Sequence, residues 1–128
     1  MNSSDVSDLF VSAFRVGEVQ AVRQEYQVFR TASGSFMVLS PSNRGRSSYH
    51  LTVVSPEEVE AVGKAVRKGS VTSGSLLKQK EVVEAFGAEG LSLRFDLLMA
   101  LYVLTALGRA EMKKEGRNLV FVSRSEDA

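Results

Sequence analysis

The chain has 128 residues, of which 44% are hydrophobic and 24% charged, the balance of one globular domain rather than of a disordered segment. It has no cysteine and one histidine, His50, which excludes disulfide frameworks and leaves Cys/His zinc sites, thiol catalysis and Ser-His catalysis without their groups. Sixteen basic against fifteen acidic side chains give a net charge of +1, which argues against a strongly polycationic nucleic-acid binder.

The distribution of charge says more than its total. Residues 1–22 carry a net −2, residues 23–80 carry nine Lys/Arg against four Glu for +5, and residues 81–128 return to −2. A basic middle between acidic ends is compatible with an electrostatic footprint and equally with an ordinary solvated surface. No run approaches 18 apolar residues and no apolar h-region follows Met1-Asn2-Ser3-Ser4-Asp5. A protein without a membrane span or signal peptide, and hence a cytoplasmic one, is the expectation.

In chain order, Val6, Leu9, Phe10, Ala13 and Phe14 fall at helical spacing and predict a short amphipathic helix over 5–15, ended by Gly17. Residues 26–30, 36–40 and 49–54 alternate or enrich β-branched and aromatic side chains between Gly, Pro, Ser and Asn. They predict a three-stranded antiparallel meander with a loop over 41–47. Ser55-Pro56-Glu57-Glu58 is the sharpest boundary. Ser55 suits an N-cap, Pro56 the first helical position, and Glu58 the third, where it completes a capping box. That helix runs to about Lys68, with Gly69 as a left-handed stop.

A minimal strand at 70–72 is followed by a helix over about 74–86, then by the longest helix, about 93–107, capped by Ser92 and closed by Gly108. Residues 109–113 and 118–123 predict a β-hairpin joined by Lys114-Glu115-Gly116-Arg117. Val59, Val62, Leu76, Val83, Phe86, Leu97, Leu104 and Val120 are expected to share one core. Residues 1–54 then form an N-terminal helix plus meander, 55–124 a second unit, and 125–128 a tail.

From Ser55 onward the order is helix, short strand, helix, turn, helix, hairpin, with Gly108 ending the third helix and a basic Lys113-Lys114-Glu115-Gly116-Arg117 turn. In that order of elements the segment resembles the winged helix-turn-helix superfamily. The fold class expected is therefore α+β, a winged helix preceded by a short helix and a meander. The resemblance implies a DNA-binding protein, a transcription regulator or architectural factor, whose third helix enters the major groove while the hairpin reaches neighbouring phosphates.

The third helix departs from that pattern. Arg94, Leu98, Leu101 and Thr105 lie on one stripe with Tyr102 alongside. Base edges are read by Arg, Lys, Asn, Gln, Ser or Thr, and the centre of this stripe is leucine. Either the N-terminal segment buries the helix through Leu9, Phe10 and Phe14, or Leu98, Leu101 and Tyr102 meet another surface. A twofold homodimer is the preferred expectation, and the alternative function is a protein-interaction module or adaptor in which the winged helix is only scaffold and the apolar third helix docks a partner.

Basic groups suited to phosphate contact are Arg44 and Arg46 in the 41–47 loop, Lys64, Arg67 and Lys68 on the first long helix, Lys78 and Lys80, Arg94, and Lys113, Lys114 and Arg117 of the hairpin. Such contacts supply affinity without sequence discrimination, and each cluster is also explained by solubility and helix-end electrostatics. Glu57, Glu58 and Glu60 suit capping and the helix dipole rather than paired-carboxylate chemistry. No glycine-rich phosphate motif occurs. No catalytic set, metal site or cofactor site can be assembled, and a non-enzyme is expected.

Overall fold

The computed structural model describes residues 14–21, 25–41, 49–87 and 90–124. It is an α+β fold. Strands β1 (Phe14–Gln20), β2 (Glu25–Arg30), β3 (Phe36–Pro41) and β4 (Tyr49–Val54) form an antiparallel sheet in the order β1-β2-β3-β4. Helices α1 (Pro56–Lys68), α2 (Ser73–Leu76), α3 (Lys80–Phe86) and α4 (Gly90–Ala106) follow, and β5 (Ala110–Glu115) and β6 (Asn118–Ser123) close the described chain as a hairpin.

The meander has four strands rather than three. Phe14 and Arg15, expected to end a helix, begin β1, and the rest of that expected helix lies outside the described residues. The pairing of β1 with β2 shifts register between Arg15 and Gly17. One extra residue at such a bulge breaks the two-residue alternation that marks a strand, so the strand is masked in the sequence. Gly17 is no helix stop. It lies where β1 crosses α4, and a Cβ there would stand 3.4 Å from the Ala106 carbonyl oxygen.

Helix α1 forms between the expected limits. The Glu58 N–H donates to Ser55 Oγ at 3.1 Å, and the Ser55 N–H donates to Glu58 Oε1 at 2.8 Å. This reciprocal cap is worth about 1 kcal/mol. Its far end differs from expectation: Gly69 has φ 162° and ψ 174°, extended backbone rather than a left-handed stop.

The helix expected over 74–86 is two helices. Thr72 caps α2 through a second reciprocal pair with Ser75, both bonds being 2.9 Å. The N–H groups of Leu77, Lys78 and Gln79 then donate three residues back, to Gly74, Ser75 and Leu76, and Gln79 turns extended. In one continuous helix Val82 and Phe86 would lie about 80–120° around the axis from Leu76. The break turns all three inward, and all three are buried.

Helix α4 begins at Gly90, so Ser92 lies inside its first turn instead of capping it. Gly108, at φ +78°, supplies the expected left-handed exit. In the hairpin Gly116 takes φ +63° at the turn between β5 and β6. Phe121, not Val120, fills the core at 0% exposure. A one-residue choice of strand face exchanges every side chain, and here the large aromatic faces inward. Val71, the expected minimal strand, forms a bridge with Phe121: the Val71 N–H donates to the Phe121 carbonyl at 3.0 Å and the Phe121 N–H returns at 2.8 Å.

One hydrophobic cluster joins Val19, Tyr26, Val28 and Val38 of the sheet to Val62, Leu97, Leu101 and Phe121 of the later elements. Helix α4 is its axis. Leu93, Leu97, Met99, Ala100, Leu101, Tyr102, Val103 and Leu104 are all buried, as an apolar surface on every side of a helix requires. Tyr102 stands between the two halves, its ring centroid 4.6 Å from Tyr26 of β2 and 6.1 Å from Phe121 of β6. Burial, with Tyr26 alongside, pushes its phenol well above the usual tyrosine range. No helix among the described residues is long and apolar enough to cross a membrane.

Candidate anion-binding cleft and the basic clusters

The burial of α4 corrects one sequence expectation directly. Leu101 is 0% and Tyr102 2% exposed within the single chain, and Leu98 is partly buried against the same core. These residues do not form a free dimer face. The sheet covers them, through Tyr26 and its neighbours; the expected Leu9, Phe10 and Phe14 contacts lie outside the described side chains. Arg94 and Phe95, near the N-terminal end of the helix, are exposed, and Phe95 retains 41% of its surface.

The basic candidates divide by place. Arg44 and Arg46 lie outside the described residues. Lys64, Arg67 and Lys68 are exposed along the last turns of α1. Lys78 and Lys80 are exposed around the α2–α3 junction. Arg94 reaches back toward α2, its Nη2 being 3.8 Å from where a Cβ on Gly74 would stand. On the hairpin Lys113, Lys114 and Arg117 are exposed, but strand alternation puts Lys113 with Glu111 and Glu115 and Lys114 with Met112. The two lysines therefore point to opposite faces, and one of them is flanked by carboxylates. His50 pairs with Ser40 through the backbone of β4.

A concavity among the described residues lies elsewhere. A cleft of about 500 Å³ runs along α1 between the β2–β3 turn, the C-terminal end of α4 and the open end of the hairpin. Helix α1 contributes Pro56, Val59, Glu60, Gly63, Val66 and Arg67, a spacing of three and four residues that places all six on one face. Leu104 and Leu107 form the apolar floor from the α4 side. At Gly63 a Cβ would stand 3.6 Å from Leu104 Cδ2 and 3.9 Å from Arg67 Nη1, in ordinary van der Waals contact with both.

Four arginines line the cleft: Arg30, Arg67, Arg109 and Arg124. Each is fixed by a different element. Arg30 ends β2, its guanidinium 5.8 Å from the centroid of the Phe36 ring across the turn. That turn is held by Thr31, buried at 3% exposure, whose Oγ1 accepts from the Ser35 N–H at 3.1 Å, with Gly34 at φ +90°. Arg109 follows Gly108, and its N–H donates to the Leu104 carbonyl at 2.9 Å. The Arg124 N–H donates to the Arg109 carbonyl at 3.1 Å, tying the two hairpin ends together.

Glu60 is the one carboxylate on the lining. Among the described residues the only ion pair is Arg15 with Glu18, so no described carboxylate lies within ion-pair distance of the four cleft arginines. Sequence reasoning singled out Arg67 alone of these. Arg30, Arg109 and Arg124 are isolated in sequence, and only their positions at element ends, which topology gathers, connect them.

Among the described residues no group of three or more His, Cys, Asp or Glu side chains could hold a metal ion. No family model, curated protein or solved structure matches the chain.

Proposed function

We propose that the chain is a winged-helix-type protein that holds duplex DNA through its phosphates and reads few bases. The observation that carries the reading is the order of elements over residues 56–124. Helix α1, the Val71 bridge, helices α2 to α4 and the β5–β6 hairpin follow one another, and Val71 pairs with the hairpin strand Phe121 occupies. A first strand paired to the last, outside a terminal hairpin, accords with the winged-helix arrangement, whose hairpin reaches the DNA backbone.

The burial of α4 narrows the mode of binding. Leu97, Leu101, Tyr102 and Leu104 are committed to the core, which leaves Arg94 and Phe95 of its first turns exposed. Lys78, Lys80, Arg94, Lys113, Lys114 and Arg117 then supply phosphate contacts, and Arg44 and Arg46, outside the described residues, are further candidates by charge. Backbone contacts of this kind position a protein without discriminating sequence.

A titration of duplex DNA at two salt concentrations tests this. Log affinity is expected to fall linearly with log salt, and neutralising Lys113, Lys114 and Arg117 together is expected to reduce that slope equally for unrelated sequences. Absence of salt-sensitive binding would overturn the proposal. It would leave the second reading, a protein-interaction scaffold, whose docking surface would have to lie elsewhere than on the buried α4 leucines.

A further inference from the structure

We propose that the arginine-lined cleft along α1 is a binding site for a small organic phosphate carrying a ring or other apolar body, a nucleoside phosphate being of the required kind. The cleft is separate from the hairpin turn: Arg109 and Arg124 flank the open end of β5–β6, while Gly116 and Arg117 form its closed end. Six-residue strands set these ends roughly 20 Å apart. The site therefore stands independently of the DNA reading.

The chemistry of the lining selects the ligand. Arg30, Arg67, Arg109 and Arg124 oppose one carboxylate, Glu60. Guanidinium forks are planar, always charged and matched to phosphate oxygens in pairs. The floor between them, built by Val59, Val66, Leu104 and Leu107, is apolar and offers an inorganic anion nothing. Glu60 is an acceptor for a hydroxyl or amino group on the organic part. A volume of about 500 Å³ lies within the usual range for small-molecule sites. A duplex backbone would meet a surface this concave at few points.

The free protein bears a cost for this arrangement. Like charges gathered in a cleft repel, and among the described residues the cleft arginines have no ion-pair partner. A bound phosphate relieves the repulsion. Loss of an arginine is therefore expected to weaken binding while leaving the free protein as stable or more stable, a combination that a merely structural arginine would not produce.

The test is calorimetric titration and thermal unfolding of the full chain with ATP, with pyrophosphate, and with a short DNA duplex. Saturable ATP binding is expected, with a Tm rise of about 5–10 °C at a hundredfold excess over Kd. Arg109→Gln and Arg124→Gln are each expected to weaken ATP binding at least about tenfold, with an unchanged or raised Tm without ligand. Lys113→Gln with Lys114→Gln is expected to leave ATP binding as it was. No saturable ATP binding, or equal ATP binding by wild type and both arginine variants, overturns the proposal. Equal affinity for pyrophosphate and ATP overturns the organic body, and competition between ATP and duplex for the same arginines overturns the separation from the DNA surface.

Discussion

Single residues fix the two features on which function is read, the buried helix and the charged cleft, and they do so by quite different means. The cleft arginines sit at element ends, Arg30 with its guanidinium against the Phe36 ring and Arg109 and Arg124 placed by backbone bonds. Arg109 and Arg124 are joined through the N–H to carbonyl bond across the hairpin mouth. On α4 the same scale yields a pH dependence. Asp96 lies partly buried, and burial pushes its carboxyl above the usual aspartate range. Its charged form is disfavoured by folding, so the folded state holds the proton more tightly than the unfolded one. Stability associated with Asp96 is thus fully present below the unfolded value and is lost as pH rises through the folded one. Asp96→Asn is expected to raise Tm at pH 7 and to converge with wild type near pH 3. A difference that is constant with pH would assign the effect to packing.

Among the elements, those with strong local signals were legible in the sequence. The limits of α1 follow from Ser55, Pro56 and Glu58, whose bonds satisfy the helix's first donors. Strands β2, β3 and β4 follow from alternation and turn residues. What was hidden depended on long-range packing. The bulge of β1 erased its alternation. The break between α2 and α3 carries neither Gly nor Pro and exists because Leu76, Val82 and Phe86 are all drawn into one core. The choice of Phe121 over Val120 was a register choice that only Tyr102 and the Val71 bridge decide.

The cleft was the least legible feature, since three of its four arginines come from β2 and the two hairpin ends. The sequence did pose the right question about α4, whose apolar stripe needs a cover. The sheet provides it within one chain. Leu101→Glu places a carboxylate at a position of 0% exposure with no basic partner built for it. It is expected to destabilise the monomer by more than about 4 kcal/mol. Chemical denaturation measures this, and a variant of full stability with altered sedimentation would restore the dimer face.

At the scale of the molecule, the sheet and the 56–124 elements share one core rather than two. Tyr26 of β2 and Phe121 of β6 are both ring neighbours of Tyr102, and β1 passes so close to α4 that a Cβ on Gly17 would touch Ala106. A helical unit that folds alone keeps a polar outer face on its surface helices. Here Leu101 and Tyr102, on and beside the Arg94–Thr105 stripe of α4, are buried at 0% and 2% exposure and have no polar substitute. Removing the sheet would leave these side chains in water at a cost of roughly 2 kcal/mol each, a large fraction of the total stability of a small domain. Residues 55–124 expressed alone are therefore expected to lack a cooperative unfolding transition and to self-associate. The full chain is expected to unfold in one step by both far-UV circular dichroism and tyrosine fluorescence. A soluble, cooperatively unfolding 55–124 fragment would show instead that the sheet is an addition to a self-sufficient unit. The exposed third helix of such a fragment would then need another partner to account for its leucines.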